Sequence, residues 1–211
     1  MSKSVYSIVL SDEVVQAVDQ AAYAHGLSRS AMMNRLLAEA VSCVTPEMRM
    51  REIFGQAESL LTDGGVFQTL LQSSESMMSF RSALRYKYNP TVRYSVELFP
   101  GRPGAGELRV SLRSRSDALI LYFNRFFRLW AGVEKAICGM PDCILEESRF
   151  SRRFFLPQSL SEREQGAVLA AYIRAMQTGM KDFFSNPEDG TGAPAAVRNA
   201  CEGYYSRYPA I

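Results

Sequence analysis

Arg93, Arg109, Arg113 and Arg115 are the side chains best suited to chemistry in this chain of 211 residues. A guanidinium presents a planar fork of donors that matches phosphate or carboxylate oxygens, and it keeps its charge at neutral pH. Thr91 to Phe99 and Glu107 to Arg115 both alternate in polarity, with Val92, Tyr94, Val96 and Leu98 on one face of the first and Leu108, Val110 and Leu112 on one face of the second. In extended chain this places all four arginines opposite the apolar set. A sheet face so furnished can hold a phosphate-bearing ligand or extend a nucleic-acid footprint. It can equally be a solvated face on which Glu97 and Glu107 pair with the arginines locally. Residues 81–115 carry eight basic against two acidic side chains, a net of +6, whereas residues 1–45 carry three against four, a net of −1. The overall charge of +2 hides this asymmetry, which any polyanion-binding function must accommodate.

Other chemistries find little support. There is no glycine-rich phosphate loop with lysine, no nucleophile elbow, no Cys–His pair and no HExxH arrangement, so an enzyme is not expected and no catalytic residue is assigned. Pro100 to Gly106 is rich in glycine but bridges two extended stretches, the wrong context for a nucleotide fingerprint. Cys138 and Cys143 are separated by four residues with no second cysteine pair or histidine nearby, and a zinc site needs four ligands. His25 is the sole histidine and sits at a helix end, where capping or solvation suits it. No metal and no cofactor is expected.

The first forty-odd residues form a distinct pattern. Val5 to Leu10 reads as a short strand, and Ser11-Asp12-Glu13 opens a helix with a hydroxyl cap and two carboxylates at the positive end of its dipole. Val14, Val18, Ala21 and Ala22 recur at helical spacing up to His25-Gly26, where glycine can take the left-handed position. Leu27 follows, Ser28 caps a second helix, and Met32, Met33, Leu36, Leu37, Ala40 and Val41 make it amphipathic. One strand and two short helices cannot bury these faces alone, so pairing with a second copy is expected.

Strand, polar start, a helix of about a dozen residues and then Gly26-Leu27-Ser28-Arg29-Ser30 opening a second helix resembles the ribbon-helix-helix (MetJ/Arc/CopG-like) superfamily over residues 3–42, a fifth of the chain. The resemblance implies a homodimer, or a higher homo-oligomer, on double-stranded DNA. Its paired strands enter the major groove and the N-terminus of the second helix holds a phosphate. On this chain it implies Tyr6, Ile8 and Leu10 on the core side of the strand. Lys3, Val5, Ser7 and Val9 take the base-reading side, and Ser28, Arg29 and Ser30 contact the phosphate. Two valines and a serine offer thymine-methyl contacts and one hydroxyl bond, an atypical base code. The function so implied is a transcriptional regulator of repressor type. The alternative is a non-enzymatic interaction or scaffold protein of a mobile element, of partition, conjugation or inhibitor type, that uses the module to dimerise.

The rest of the chain carries no recognised family pattern. Thr45-Pro46-Glu47 starts a third helix with Met50, Ile53, Phe54, Ala57, Leu60 and Leu61 as its stripe, ended by Asp63-Gly64-Gly65. A further helix is expected from Val66 to about Leu84. The two alternating stretches form a hairpin with a long turn. Asp117 to about Cys138 is a strongly aromatic helix, Ile144 to Leu156 supplies one or two strands, and Ser161-Glu162-Arg163-Glu164 is a capping box for a helix to about Phe184. Asn186 to Pro194 reads as a loop before a short helix around residues 195–205. The fold class is mainly α (α+β): a dimerisation module over 1–45, then an α+β domain over 46–211 with an antiparallel hairpin packed on long helices. That domain would add oligomerisation, effector binding or further DNA contact. The longest apolar stretch, Ala118 to Val133, is interrupted by Asn124, Arg125 and Arg128, which is too short and too charged for a membrane span. With no apolar leader before Ser11, a cytoplasmic protein with reduced thiols is expected.

Overall fold

A computed structural model of the protein describes residues 5–71, 76–84, 86, 89–139, 141–185 and 192–211. Contacts within the chain divide it into two compact units, residues 1–49 and 50–211.

The first unit holds α1 (Asp12–Ala24) and α2 (Arg29–Ala40). Gly26 takes φ +63°, the left-handed turn that ends α1, and Ser28 caps α2 by accepting a hydrogen bond from the Ala31 N–H at 3.2 Å. Val18, Ala22 and Met32 form a small core, with Ala21, Leu27 and Met33 packed around it. Residues 5–10 form no strand. A β-strand exists only through its ladder, and the first unit holds no strand among its described residues for these to pair with.

The second unit is α+β. Its helices are α3 (Pro46–Thr62), α4 (Asp117–Cys138), α5 (Glu162–Ser185) and α6 (Gly192–Tyr205). Its strands are β1 (Gln68–Leu71), β2 (Met77–Ala83), β3 (Thr91–Leu98), β4 (Ala105–Leu112), β5 (Cys143–Glu146) and β6 (Arg149–Phe155). They make one six-stranded sheet in the order β1-β2-β3-β4-β6-β5, with every neighbouring pair antiparallel.

The expected helix over Val66 to Leu84 is therefore corrected to two strands. Met78, Phe80 and Ser82 point inward and Arg81 and Ala83 outward, a period of two that Leu, Met and Ser mask because they suit helices as well. The expected hairpin is β3–β4, but β4 ends at Leu112, so Arg113 and Arg115 stand beyond the strand. α4 matches its expected bounds, capped by Ser116, whose Oγ accepts from the Leu119 N–H at 3.3 Å. The α5 capping box is formed: Glu164 accepts from the Ser161 N–H at 2.8 Å. The expected loop over Asn186 to Pro194 falls largely outside the described residues, and Pro194 belongs to the first turn of α6.

One face of the sheet carries the core. Phe80, Val92, Tyr94, Val96, Leu108, Val110 and Phe150 are fully buried with Phe54 of α3, Phe123, Phe127 and Trp130 of α4, and Ile173 and Met176 of α5. Phe127 stacks on Phe150 with ring centroids 4.3 Å apart. A Cβ on Gly166 would lie 2.5 Å from the Ile53 carbonyl oxygen, so α5 approaches α3 here only because the residue is glycine. The opposite face of β2, β3, β4 and β6 is open: Arg81, Arg93, Arg149 and Arg153 are all exposed.

Candidate nucleic-acid interface

Strand register sorts the open face into rows. Arg81 of β2 pairs directly with Arg93 of β3, Arg93 with Ser111 of β4, and Ser111 with Arg149 of β6. Arg81 donates from Nε to the neutral Gln68 side-chain oxygen at 3.0 Å and forms no ion pair with an acid among the described residues. Arg149 lies 3.7 Å from Glu146, a loose and exposed contact. No acidic side chain among the described residues forms an ion pair with Arg93. The next row holds Ser79, Ser95, Arg109 and Ser151, and the third Glu97, Glu107 and Arg153.

Arg109 behaves differently from its neighbours. It donates to both Glu107 oxygens at 3.0 and 3.1 Å and to Glu97 at 3.1 Å. Its hydrogen bonds hold the Glu107 carboxyl below the usual carboxylate range. Arg153 lies 3.6 Å from Asp142. Arg109 is thus locally neutralised, Arg149 and Arg153 each have one loose and exposed acidic neighbour, and Arg81 and Arg93 have no ion-pair partner among the described residues. Of the four arginines singled out in the sequence, the structure leaves Arg93 without an acidic partner among the described residues and ties up Arg109. Arg113 and Arg115 are exposed past the end of β4. Arg81 and Arg149 are additions to the face, and only the register of β2 and β6 brings them to it.

In the first unit, Val5, Ser7 and Val9 are exposed, Val5 at 99% and Val9 at 100%, and Lys3 lies outside the described residues. Ser28 keeps its hydroxyl proton for another acceptor while capping α2, and Ser30 is exposed beside it. Arg29 is engaged: its Nε and Nη2 donate to the two oxygens of Asp19, each at 2.6 Å. That bidentate pair holds the Asp19 carboxyl below its ordinary range. The arrangement therefore brings Ser28 and Ser30 together at a helix N-terminus and occupies the cation expected between them.

A third polar cluster is buried beneath the sheet. Glu134 of α4 and Arg152 of β6 lie 3.1 Å apart, at 0% and 2% side-chain exposure. Tyr172 and Tyr205 each donate to Glu134 Oε1 at 2.7 Å, and Trp130 Nε1 donates to the Tyr172 hydroxyl at 3.0 Å. Arg152 Nη2 donates to the Ile211 carbonyl at 2.8 Å, its guanidinium carbon sits 4.9 Å from the Tyr172 ring centroid, and its Nη1 has no hydrogen-bond partner among the described residues. Burial pushes the Tyr172 phenol well up. A signal for this cluster does stand in the sequence: Glu134 continues the Phe127–Trp130 stripe, and Arg152 alternates with Phe150 and Phe154.

Cys43, Cys138, Cys143 and Cys201 are free thiols. Among the described residues no three histidine, cysteine, aspartate or glutamate side chains gather as metal ligands would, and no helix is long and apolar enough to cross a membrane. Comparison with protein-family models, with curated proteins and with solved structures finds no match for the chain.

Proposed function

We propose that this protein is a dimeric DNA-binding regulator of the ribbon-helix-helix kind, acting in the cytoplasm as a repressor. One observation carries the reading. The unit over residues 1–49 leaves Tyr6, Ile8, Val14, Leu37, Val41 and Val44 exposed, around a small buried cluster of Val18, Ala22 and Met32 with Ala38 buried besides. So small a core falls far short of the burial an independent unit needs. A second copy would cover these side chains by pairing residues 5–10 antiparallel and packing α2 against α2. Ser28 and Ser30 then stand at the α2 N-terminus where a phosphate is held, and Val5, Ser7 and Val9 face the groove.

Leu37→Asp tests this directly. Leu37 is 58% exposed, so the substitution spares the fold of one chain, yet it places a charge in the proposed interface. Sedimentation should show a dimer for the wild-type chain and a monomer for Leu37→Asp, with binding to the gene's own upstream duplex lost in parallel. A wild-type chain that sediments as a monomer at tens of micromolar overturns the reading.

The Arg29–Asp19 pair favours a second reading, in which the module dimerises the chain without reading DNA and the protein is an interaction or scaffold protein. A stable wild-type dimer with no affinity for that duplex in low salt selects it.

A further inference from the structure

One row of the open face carries three arginines across four neighbouring strands; Arg81 and Arg93 have no acidic partner among the described residues, and Arg149 has one loose, exposed partner in Glu146. We infer that this row, Arg81–Arg93–Arg149 with Ser111 between the last two, is a contact surface for the phosphodiester backbone of duplex DNA. The inference rests on the DNA-binding reading above but uses none of the residues of the first unit.

Register is the first argument. Arg81 and Arg93 stand directly opposite each other on adjacent antiparallel strands, where like charges repel. Further along the same face Arg109 shows the ordinary solution, clasped by Glu97 and Glu107. A sheet that neutralises one arginine and leaves its neighbours facing each other in register is arranged to receive an anion there.

Dimension and composition narrow the anion. Arg81 and Arg149 stand three strand spacings apart, roughly 14 Å at the usual interstrand distance, comparable with the roughly 12 Å major groove of B-DNA. A single small phosphate would meet one or two of these arginines; a duplex backbone meets all three. No aromatic residue stands in this row. Phe155, exposed on the same face, pairs with Ala105 at the acidic end. Single strands are held by bases stacked on aromatic rings, so an arginine row without them suits a duplex. The row also supplies what the first unit lacks, since residues 1–45 are net negative and Arg29 is committed to Asp19.

The test uses the full chain and a random-sequence B-DNA duplex of about 30 bp, with affinity read by fluorescence anisotropy as salt rises. Each phosphate contact contributes roughly 0.9 to the slope of log affinity against log salt. The triple variant Arg81→Gln/Arg93→Gln/Arg149→Gln should lose roughly 2.7 of that slope per protomer on the duplex, so for each protomer the fall in affinity between about 50 and 200 mM shrinks by a factor of roughly 40. Arg198→Gln on α6 is the control and should leave the slope unchanged. A triple variant with the wild-type slope and an intact dimer overturns the sheet face and leaves the dimeric reading standing. A wild-type chain that sediments as a monomer yet shows an Arg93-dependent slope keeps the sheet face and overturns that reading. Tighter binding to the corresponding single strand than to the duplex overturns the choice of partner, as does a wild-type chain that binds no duplex at about 50 mM salt.

Discussion

The carboxylate of Glu134 and the guanidinium of Arg152 meet at 3.1 Å where neither has access to solvent. Helix α4 and strand β6 are thereby joined by charge in the middle of an aromatic core. A buried pair of this kind adds little over a well-packed apolar pair, because both ions were taken out of water to form it. Its weight shows when one member is lost, and the other is left as an uncompensated buried charge.

Glu134→Gln is therefore expected to cost about 3–5 kcal/mol, a fall in Tm of roughly 6–20 °C for a chain of this size. Arg152→Met should cost a similar amount. The double variant Glu134→Leu/Arg152→Met should recover most of the loss, because it removes both charges together. Thermal unfolding followed by circular dichroism measures all three. A double variant as unstable as either single one would show that the site is sensitive to shape and not to charge.

Alkaline stability follows from the groups buried near this pair. Burial pushes the Cys201 thiol up to about 12 from its ordinary 9.0, and raises the phenols of Tyr172 and Tyr205 above theirs. A group whose pKa is raised by folding contributes stability that is complete below its unfolded pKa and is lost as pH rises toward the folded value. Stability should thus hold to about pH 9 and then decline. Cys201→Ser should flatten the first part of that decline, between the thiol's ordinary and raised values, whatever it costs at neutral pH. Denaturant midpoints measured against pH give the slope; identical slopes for the two proteins would remove Cys201 as a cause.

Arg93→Gln carries a prediction about stability that is separate from binding. It relieves the direct opposition to Arg81, which costs about 0.2–1 kcal/mol on an antiparallel pair, so Tm should rise by roughly 0.4–4 °C. The same substitution on Arg109 should lower Tm, because Glu97 and Glu107 would then face each other in register without a cation. Differential scanning calorimetry of the two variants tests the contrast, and a fall in Tm for both would mean that Arg93 has a stabilising partner.

How far the sequence could be read follows from which signals are local. The capping serines, Gly26 and the aromatic stripe of α4 set helix ends within a residue or so, because caps and stripes are encoded over a few neighbours. β3 and β4 were legible because Val92 to Leu98 and Leu108 to Leu112 alternate cleanly. β2 was not: Met77-Met78-Ser79 interrupts the alternation, and only cross-strand contact with β3 selects a strand there. The arginine face was legible in kind but not in membership. Sequence places Arg109 beside Arg93, whereas register sets Arg93 between Arg81 and Ser111 and gives Arg109 to two acids. The inward placement of Glu134 and Arg152 is signalled by the α4 stripe and the β6 alternation, but that the two meet depends on the long-range packing of α4 on β6, which no local pattern encodes.

The Arg29–Asp19 pair decides how the first unit can meet a phosphate. Asp19 has a lowered pKa, so its contribution is complete above the ordinary aspartate value and is lost as pH falls below it toward the lowered folded value. At neutral pH the carboxylate stays charged and keeps both oxygens on Arg29 at 2.6 Å. Asp19→Asn removes the competing anion and leaves a neutral group of the same shape. If the α2 N-terminus holds a phosphate, freeing Arg29 should tighten duplex binding several-fold. It should also steepen the salt slope by roughly 0.9 per protomer, one added phosphate contact. Asp19→Asn/Arg29→Gln should return the slope to the wild-type value while the dimer persists. Fluorescence anisotropy on the upstream duplex reads both effects. An unchanged slope in Asp19→Asn would show that Arg29 faces no phosphate even when released, and would place the module's role in dimerisation.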